Sequence, residues 1–354
     1  MEPVCFFAVG DIGQTGQNRR SVAAAICRLN SESKLKCGFV VTTGDNIYGS
    51  APLEPALASL AADMLDNVPV PWFFTAGNHD VKGDKFAWHV RNNNAKGEAA
   101  GWTFCFPSPA YSVSEQRPDL TRGLLDVIVI NTNKLQCGWP RGGAPPAPSP
   151  GFYTANDRHW WKEQKQQLAR RLQASSSTWN IVIGHHPAEY VKYSFTEHSL
   201  PITRYFKTTF MRGGADSRRD RQALNHILRR NADVYMCGHQ HLMAHMKLSA
   251  SGSSRPHNET RCDFVIMGNS SRLDQDAEDS DDGSSDGGAE AVEPAGADAV
   301  DGGRNARFSE EWVQQGRLGF LRVIADALCL RVQFYTVDAE SQACRLVHEV
   351  TKRK

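Results

Sequence analysis

Phe39-Val40-Val41-Thr42-Thr43-Gly44-Asp45-Asn46-Ile47-Tyr48 reads as a buried strand that ends in a glycine, a carboxylate and, three residues on, a phenol. The same order, an apolar run and then Gly followed by Asp, Asn or His, recurs four times. Cys5 to Val9 leads to Gly10-Asp11. Trp72 to Ala76 leads to Gly77-Asn78-His79-Asp80. Asn180 to Ile183 leads to Gly184-His185-His186. Val234 to Cys237 leads to Gly238-His239-Gln240-His241. A strand delivers its last residue to one rim of a sheet, and in open α/β sheets ligands gather beyond the carboxyl ends of the strands. The glycine removes a side chain where the backbone must turn sharply. Carboxylate, imidazole and amide oxygen together suit hard-to-borderline metal ions. Five strands ending this way predict one rim that carries a two-metal site.

Each residue taken singly has a plainer reading: an Asp after a strand as a turn former, a lone His as a satisfied core or surface group, Tyr48 as packing. The joint recurrence in five ordered segments favours the metal reading. Two neighbouring metals need a bridging ligand, and the two oxygens of a carboxylate suit that task. Asp45, between an acid segment and an amide segment, is the expected bridge. Asp11 is expected on one metal and Asn78 on the other, with His185, His239 and His241 completing the shells. Tyr48 adds a phenolate, which favours a trivalent iron.

Around these segments the chain alternates strand and helix. Helical spacing runs over Ser21 to Asn30, Ala56 to Leu65, Asp157 to Gln173 and Ser217 to Arg230, and further strands are expected at Asp126 to Ile130, Asp263 to Met267, Phe320 to Ile324 and Cys329 to Val337. Such alternation predicts parallel strands joined by crossover helices. Residues 1–354 are read as one domain. A disordered acidic insertion is expected at 274–303, which holds eleven Asp or Glu and no Lys or Arg; it has too little apolar surface to fold, and it reads first as a solvated spacer, with binding of a basic partner as the alternative. A formal net charge of +1 gives no bias toward nucleic acid, and no run is long enough to span a bilayer. The start lacks a basic region followed by an apolar stretch, so an intracellular location is expected, or a secreted or lysosomal one if the N-terminus is truncated. Nine cysteines show no framework, and Cys5, Cys237 and Cys329 are expected as buried free thiols of a reducing compartment. Asn258-Glu259-Thr260 and Asn269-Ser270-Ser271 are glycosylation triplets of a kind common by chance.

The five segments resemble those of calcineurin-like metallophosphoesterases, and Gly44-Asp45-Asn46-Ile47-Tyr48 is most similar to the small, mammalian-type purple (tartrate-resistant) acid phosphatases. The likeness covers roughly residues 4 to 270. Val70-Pro71-Trp72, Phe106-Pro107-Ser108-Pro109, Cys137-Gly138 and Gly184-His185-His186-Pro187 add to it. The resemblance implies an α/β fold, a four-layer αββα sandwich. It implies Asp11, Asp45, Tyr48 and His241 around Fe(III), and Asp45, Asn78, His185 and His239 around a divalent Fe, Zn or Mn. His79 would then contact substrate, and His198, in Glu197-His198, would protonate the leaving group. His186, where the family often carries Tyr, is expected beside the ligands rather than among them. The implied reaction is hydrolysis of phosphate monoesters by a metal-bound hydroxide at acidic pH, on a phosphorylated small molecule or a phosphoprotein, by a monomer. A phosphodiesterase or nucleotide pyrophosphatase of the same superfamily, and a non-catalytic metal-binding protein, are the alternatives. The chain departs from the mammalian pattern in two places: Cys137 has no matching cysteine, and residues 138–155 contain no Asp or Glu.

Overall fold

The computed structural model describes residues 2–48, 53–81, 93–96, 101–108, 110–135, 157–188, 215–249, 261–273 and 307–354. The stretch that opened the sequence reading forms β2 (Phe39–Thr42), which lies parallel to β1 (Val4–Val9) and β3 (Pro71–Phe73), with β4 (Thr103–Cys105) at the edge. On the other flank of β1 come β12 (Leu318–Ala325), β13 (Cys329–Val337) and β14 (Cys344–Arg353), all antiparallel. The seven-stranded order is β14-β13-β12-β1-β2-β3-β4. The chain's last strands therefore close the sheet that its first strand centres.

A second seven-stranded sheet has the order β11-β9-β10-β8-β7-β6-β5. Its parallel centre is β6 (Leu125–Val129), β7 (Trp179–Ile183), β8 (Val234–Cys237) and β10 (Asp263–Met267). Antiparallel strands flank it: β9 (Leu242–Ser249) and β11 (Arg307–Gln315) on one side, β5 (Tyr111–Ser112) on the other.

Three apolar cores explain why these strands read as unbroken hydrophobic runs. Between the sheets, Phe6, Ala8, Phe39, Val41 and Phe73 meet Val127, Val129, Ile181, Ile183, Met236 and Val265. The outer face of the first sheet, with Phe7, Val9, Val40 and Trp72, packs on α1 (Gln17–Glu32) and on α2 (Leu53–Leu60), which continues into a π-helical turn over Ala61–Leu65. The outer face of the second sheet, with Ile128, Val182, Tyr235 and Phe264, packs on α3 (Asp157–Ala174) through Trp161, Leu168 and Leu172, and on α4 (Ala215–Asn231) through Leu224 and Leu228. Helix, sheet, sheet and helix are thus stacked in the αββα order. Each buried large side chain contributes about 1.5–3 kcal/mol.

One expectation is corrected. Cys5 and Cys37 are paired as a disulfide, with Cα atoms 4.4 Å apart. The parallel pairing of β1 with β2, extended by Gly38 N–H donating to Cys5 C=O (2.9 Å), sets them side by side, so Cys5 leaves the argument for a reducing compartment. Cys237 is a buried free thiol as expected, and Cys329 a partly buried one. The triplet at Asn269 is closed to modification: Asn269 is fully buried, and its amide donates to Arg317 C=O. The acidic stretch 274–303, Cys137 and Asn258 lie outside the described residues.

Candidate metal centre

The glycine-terminated strand ends meet at one rim. Asp11, Asp45 and His239 occupy left-handed backbone, with φ of 55°, 53° and 69°. That conformation is rare outside glycine and costs roughly 1–3 kcal/mol per residue. It ends each strand abruptly and turns the next side chain over the rim. Backbone bonds brace the turns: Asp11 N–H donates to Gly44 C=O (3.0 Å), Gly13 N–H to Asp45 C=O (2.9 Å), and His239 N–H to Asp11 Oδ2 (3.0 Å). Two glycines are there for space. A Cβ at Gly44 would stand 2.5 Å from His185 Nδ1, and one at Gly77 would stand 2.1 Å from Asp45 Oδ1.

The polar atoms fall into two groups that share Asp45 and Asp11 as neighbours. In one, Tyr48 Oη donates to Asp11 Oδ1 (3.1 Å) and lies 3.5 Å from His241 Nε2, which is itself 3.5 Å from Asp11 Oδ1. In the other, Asn78 Oδ1 lies 3.0 Å from both His185 Nε2 and His239 Nδ1, and Asp45 Oδ2 lies 3.4 Å from His185 Nε2. His185 Nδ1 sits 2.8 Å from Thr43 C=O, an atom that can only accept, so the proton of the neutral ring is on Nδ1. Its Nε2 lone pair then faces two oxygen acceptors. Acceptors crowded in this way need a proton or a cation between them, and Asp11 and Asp45 are buried carboxylates. Ligand atoms of Asp11, Asp45 and His185 lie within 4.8 Å of one another. This donor set of two carboxylates, an amide oxygen, three imidazoles and a phenol fits a pair of hard-to-borderline metal ions.

The electrostatics among the protein groups agree. Burial opposes charge on His185, but the Asp45 carboxylate outweighs it and lifts the imidazole pKa to about 9. Burial would raise Asp45, yet His185 and His79 hold it below the usual carboxylate range. Burial, with Asp11 and Asp45, pushes the Tyr48 phenol well above its ordinary value. A phenolate at this position therefore requires a strong cation. Burial and the neighbouring His185 push His239 down to about 3, so it is neutral and able to ligate.

All seven expected ligands (Asp11, Asp45, Tyr48, Asn78, His185, His239 and His241) are thus brought together. His79 joins them: its N–H donates to Asp45 Oδ1 (2.9 Å) and its ring packs edge-on against Tyr48 at 4.6 Å. His186 is buried beside His185 and His239, with ring centroids 4.8 and 4.6 Å away. His198 lies outside the described residues.

Some supporting residues have no role in the sequence reading. Asp80 is fully buried and accepts from Asn46 N–H (3.0 Å), Ile47 N–H (3.2 Å), Gly77 N–H (2.8 Å) and Asn46 Nδ2 (2.9 Å), tying two ligand loops together. Ser271 Oγ donates to Asp11 C=O (2.6 Å), and Arg272 lies over the Tyr48 ring at 5.1 Å. A signal for this last segment was present: Asp263 to Met267 followed by Gly268-Asn269 is a sixth copy of the strand, glycine and polar-residue order.

The calcineurin-like phosphoesterase profile matches residues 6–243. Purple acid phosphatase 4 of Arabidopsis thaliana is 26% identical over 262 residues, a match covering 70% of this chain and 65% of that protein. Purple acid phosphatase 17 of the same plant is 24% identical over 261 residues, covering 69% and 64%. The chain thus spans just under two thirds of the length of these curated relatives. Among solved structures, the purple acid phosphatase PPD1 from yellow lupin (Lupinus luteus) seeds is similar in fold, with a TM-score of 0.57 at 13% identity over 99% of this chain and 54% of that one. GAP50, the anchor in the inner membrane complex of Plasmodium, superposes with a TM-score of 0.58 at 15% identity over 99% and 89%.

Proposed function

The chain belongs to the calcineurin-like phosphoesterase family, and from that premise we propose that it hydrolyses phosphate monoesters in acid at a dinuclear Fe(III)–M(II) centre. The observation that carries this reading is that the candidate ligand atoms form two groups, with Asp45 close to Asp11 of one and His185 of the other. Asp11, Tyr48 and His241 lie to one side, and Asn78, His185 and His239 to the other. On this reading Asp11, Tyr48 and His241 would hold Fe(III), Asn78, His185 and His239 would hold a divalent Fe, Zn or Mn, and Asp45 would serve both. When bound, such ions neutralise charge on the phosphoryl oxygens and acidify water, which keeps attack available below neutral pH.

The chain's own residues supply the rest. The Thr43 carbonyl holds the proton of the neutral His185 ring on Nδ1, which leaves Nε2 to face a cation. The His79 backbone is tied to Asp45 Oδ1, so its ring stays beside Tyr48, where it is assigned to contact the phosphoryl group. His198 is assigned as the acid that protonates the departing oxygen. The substrate is a phosphorylated small molecule or a phosphoprotein.

The deciding experiment is a visible spectrum with metal quantification, joined to assays on a nitrophenyl phosphate and its bis ester. The expected result is a broad phenolate-to-Fe(III) band that Tyr48→Phe abolishes, two metals per chain, and preference for the monoester. A colourless, iron-free and fully active protein would overturn the iron assignment. A preference for the bis ester would make the chain a phosphodiesterase.

A further inference from the structure

The neighbouring histidines of Gly184-His185-His186 carry opposite hydrogen-bonding assignments. For His185 the Thr43 carbonyl fixes the proton on Nδ1 and leaves Nε2 bare. For His186 the deciding atom is Thr132 Oγ1, which is fully buried. It accepts from His185 N–H (3.0 Å) and His186 N–H (2.8 Å). Those two bonds occupy both of its lone pairs, so its single hydrogen remains to be donated. The atom it faces is His186 Nδ1, at 3.2 Å. Only a bare nitrogen accepts a hydroxyl hydrogen. An imidazolium would set a second N–H against an oxygen already filled. The His186 ring therefore carries its proton on Nε2.

That Nε2 is buried and has no partner among the described residues. A buried N–H without an acceptor is unfavourable and is uncommon in native interiors. The position is not accidental. Tyr235 Oη donates to His186 C=O (2.7 Å) and fixes the backbone, while ring nitrogens of His185, His186 and His239 lie within 4.8 Å of one another. Proximity alone would make these three imidazoles a ligand set. The tautomer excludes it, because Nδ1 is engaged by Thr132 and Nε2 has no lone pair to give.

We infer that His186 is a hydrogen-bond donor rather than a ligand, and that its Nε2–H holds a phosphoryl oxygen of the substrate on the His185–His239 side of the centre. This rests on the proposed phosphoester hydrolysis and adds to it a substrate-binding residue that the metal-ligand pattern does not contain. A hydrogen bond to a charged oxygen corresponds to roughly tenfold to a hundredfold in affinity.

The test uses orthophosphate as the probe and the zinc-loaded full chain. Calorimetry should show about tenfold to a hundredfold weaker binding in His186→Leu with both metals retained. His186→Gln, whose terminal amide offers an N–H near the reach of Nε2, should recover most of the affinity. Imidazole nitrogen NMR on the wild-type chain needs no variant to fold: it should show His186 protonated at Nε2, with that proton shifting on addition of orthophosphate. A bare Nε2, loss of a metal in both His186 variants, or unchanged orthophosphate affinity in His186→Leu would each overturn this inference alone. Unchanged affinity with lowered turnover would place the donor on water instead and also overturn it. A metal-loaded wild type that binds no orthophosphate would overturn both this inference and the phosphoesterase reading.

Discussion

Asp45 and Asp11 are both buried carboxylates at strand ends, yet they should fail differently. Asp45 has Oδ1 held by His79 N–H and Oδ2 near His185 Nε2, and its ligand atom lies within 4.8 Å of those of both Asp11 and His185. Asp11 faces Tyr48 and His241. Asp45→Asn should therefore lose both metals and nearly all turnover, and Asp11→Asn should lose one metal preferentially, as read by metal analysis after dialysis. Full occupancy in Asp45→Asn would remove it from the bridging position. Asp80 is not among the expected ligands, and it accepts from four N–H groups in two loops of the candidate site. Partners of this kind set metal affinity by about 10–100-fold. Asp80→Ala should lower affinity by that factor in a chelator competition while the fold persists; wild-type affinity would mean that the loops hold without it. The residues of the candidate site were legible in sequence because their segments each follow a strand and a glycine. Asp80 was quoted there without a role, because a carboxylate that organises backbone donors has no spacing signature.

At the level of elements, the helices were read from their apolar periodicity and found within a few residues. Asp157 to Gln173 became Asp157–Ala174, and Ser217 to Arg230 became Ala215–Asn231. Three long strands were not foreseen. β9 reads Leu-Met-Ala-His-Met-Lys-Leu-Ser, rich in good helix formers, and its strand pairing overrides that propensity. β11 and β14 are edge strands with many charged and polar residues, and bulges at Glu310/Trp312 and Phe334/Tyr335 break the pairing they share with β9 and β13. One clamp joins elements in a way no periodicity shows. Arg19 on α1, 1% exposed, binds Asp63 in the π-helical turn (2.6 Å), Ser59 (2.7 Å) and the carbonyl of Ile12 (3.3 Å), next to Asp11. Removing Arg19 leaves the Asp63 carboxylate with only the longer contact to Arg20 (3.6 Å) among the described residues. Arg19→Met should cost about 3–5 kcal/mol in denaturant unfolding, and Arg19→Met with Asp63→Leu should recover part of it. A loss below about 1 kcal/mol in the single variant would show that the pair is dispensable.

Across the whole molecule, the two sheets are joined by a polar cluster as well as by the apolar core. Asp263 on β10 meets His245 on β9 (3.0 Å) and Lys352 on β14 (2.5 Å). His245 Nδ1 in turn meets His348 Nε2 on β14 (3.2 Å), and Trp312 stacks on His348 at 4.9 Å. Burial would raise Asp263, but His245 and Lys352 hold it below its ordinary value near 3.8. Its contribution is present above that value and fades as pH falls through the lowered one. Burial and His245 lower His348 from 6.5. Its neutral form is favoured by folding, so that contribution is full above 6.5 and fades as pH falls through the lowered value. Both terms have the same sign: acid loosens the junction. Thermal melts from pH 7 to 4 should fall less steeply in His348→Gln than in the wild type, and a parallel pair of curves would refute the assignment.

The sequence by itself determined the fold class, the alternation that predicts parallel strands with crossover helices, and the seven candidate site residues of the glycine-marked segments. These are local matters: an unbroken apolar run fixes a doubly covered strand, and a glycine before Asp, Asn or His fixes a turn with a free ligand atom. Tertiary structure alone decided which ring nitrogen carries a proton. His185 and His186 are adjacent and chemically identical in the sequence. The Thr43 carbonyl, which can only accept, turns one into a lone-pair donor. The Thr132 hydroxyl, its own lone pairs filled by two backbone N–H groups, turns the other into a proton donor. Those partners lie 142 and 54 residues away along the chain, and a histidine's tautomer is set by the atom it faces in space, which spacing does not encode.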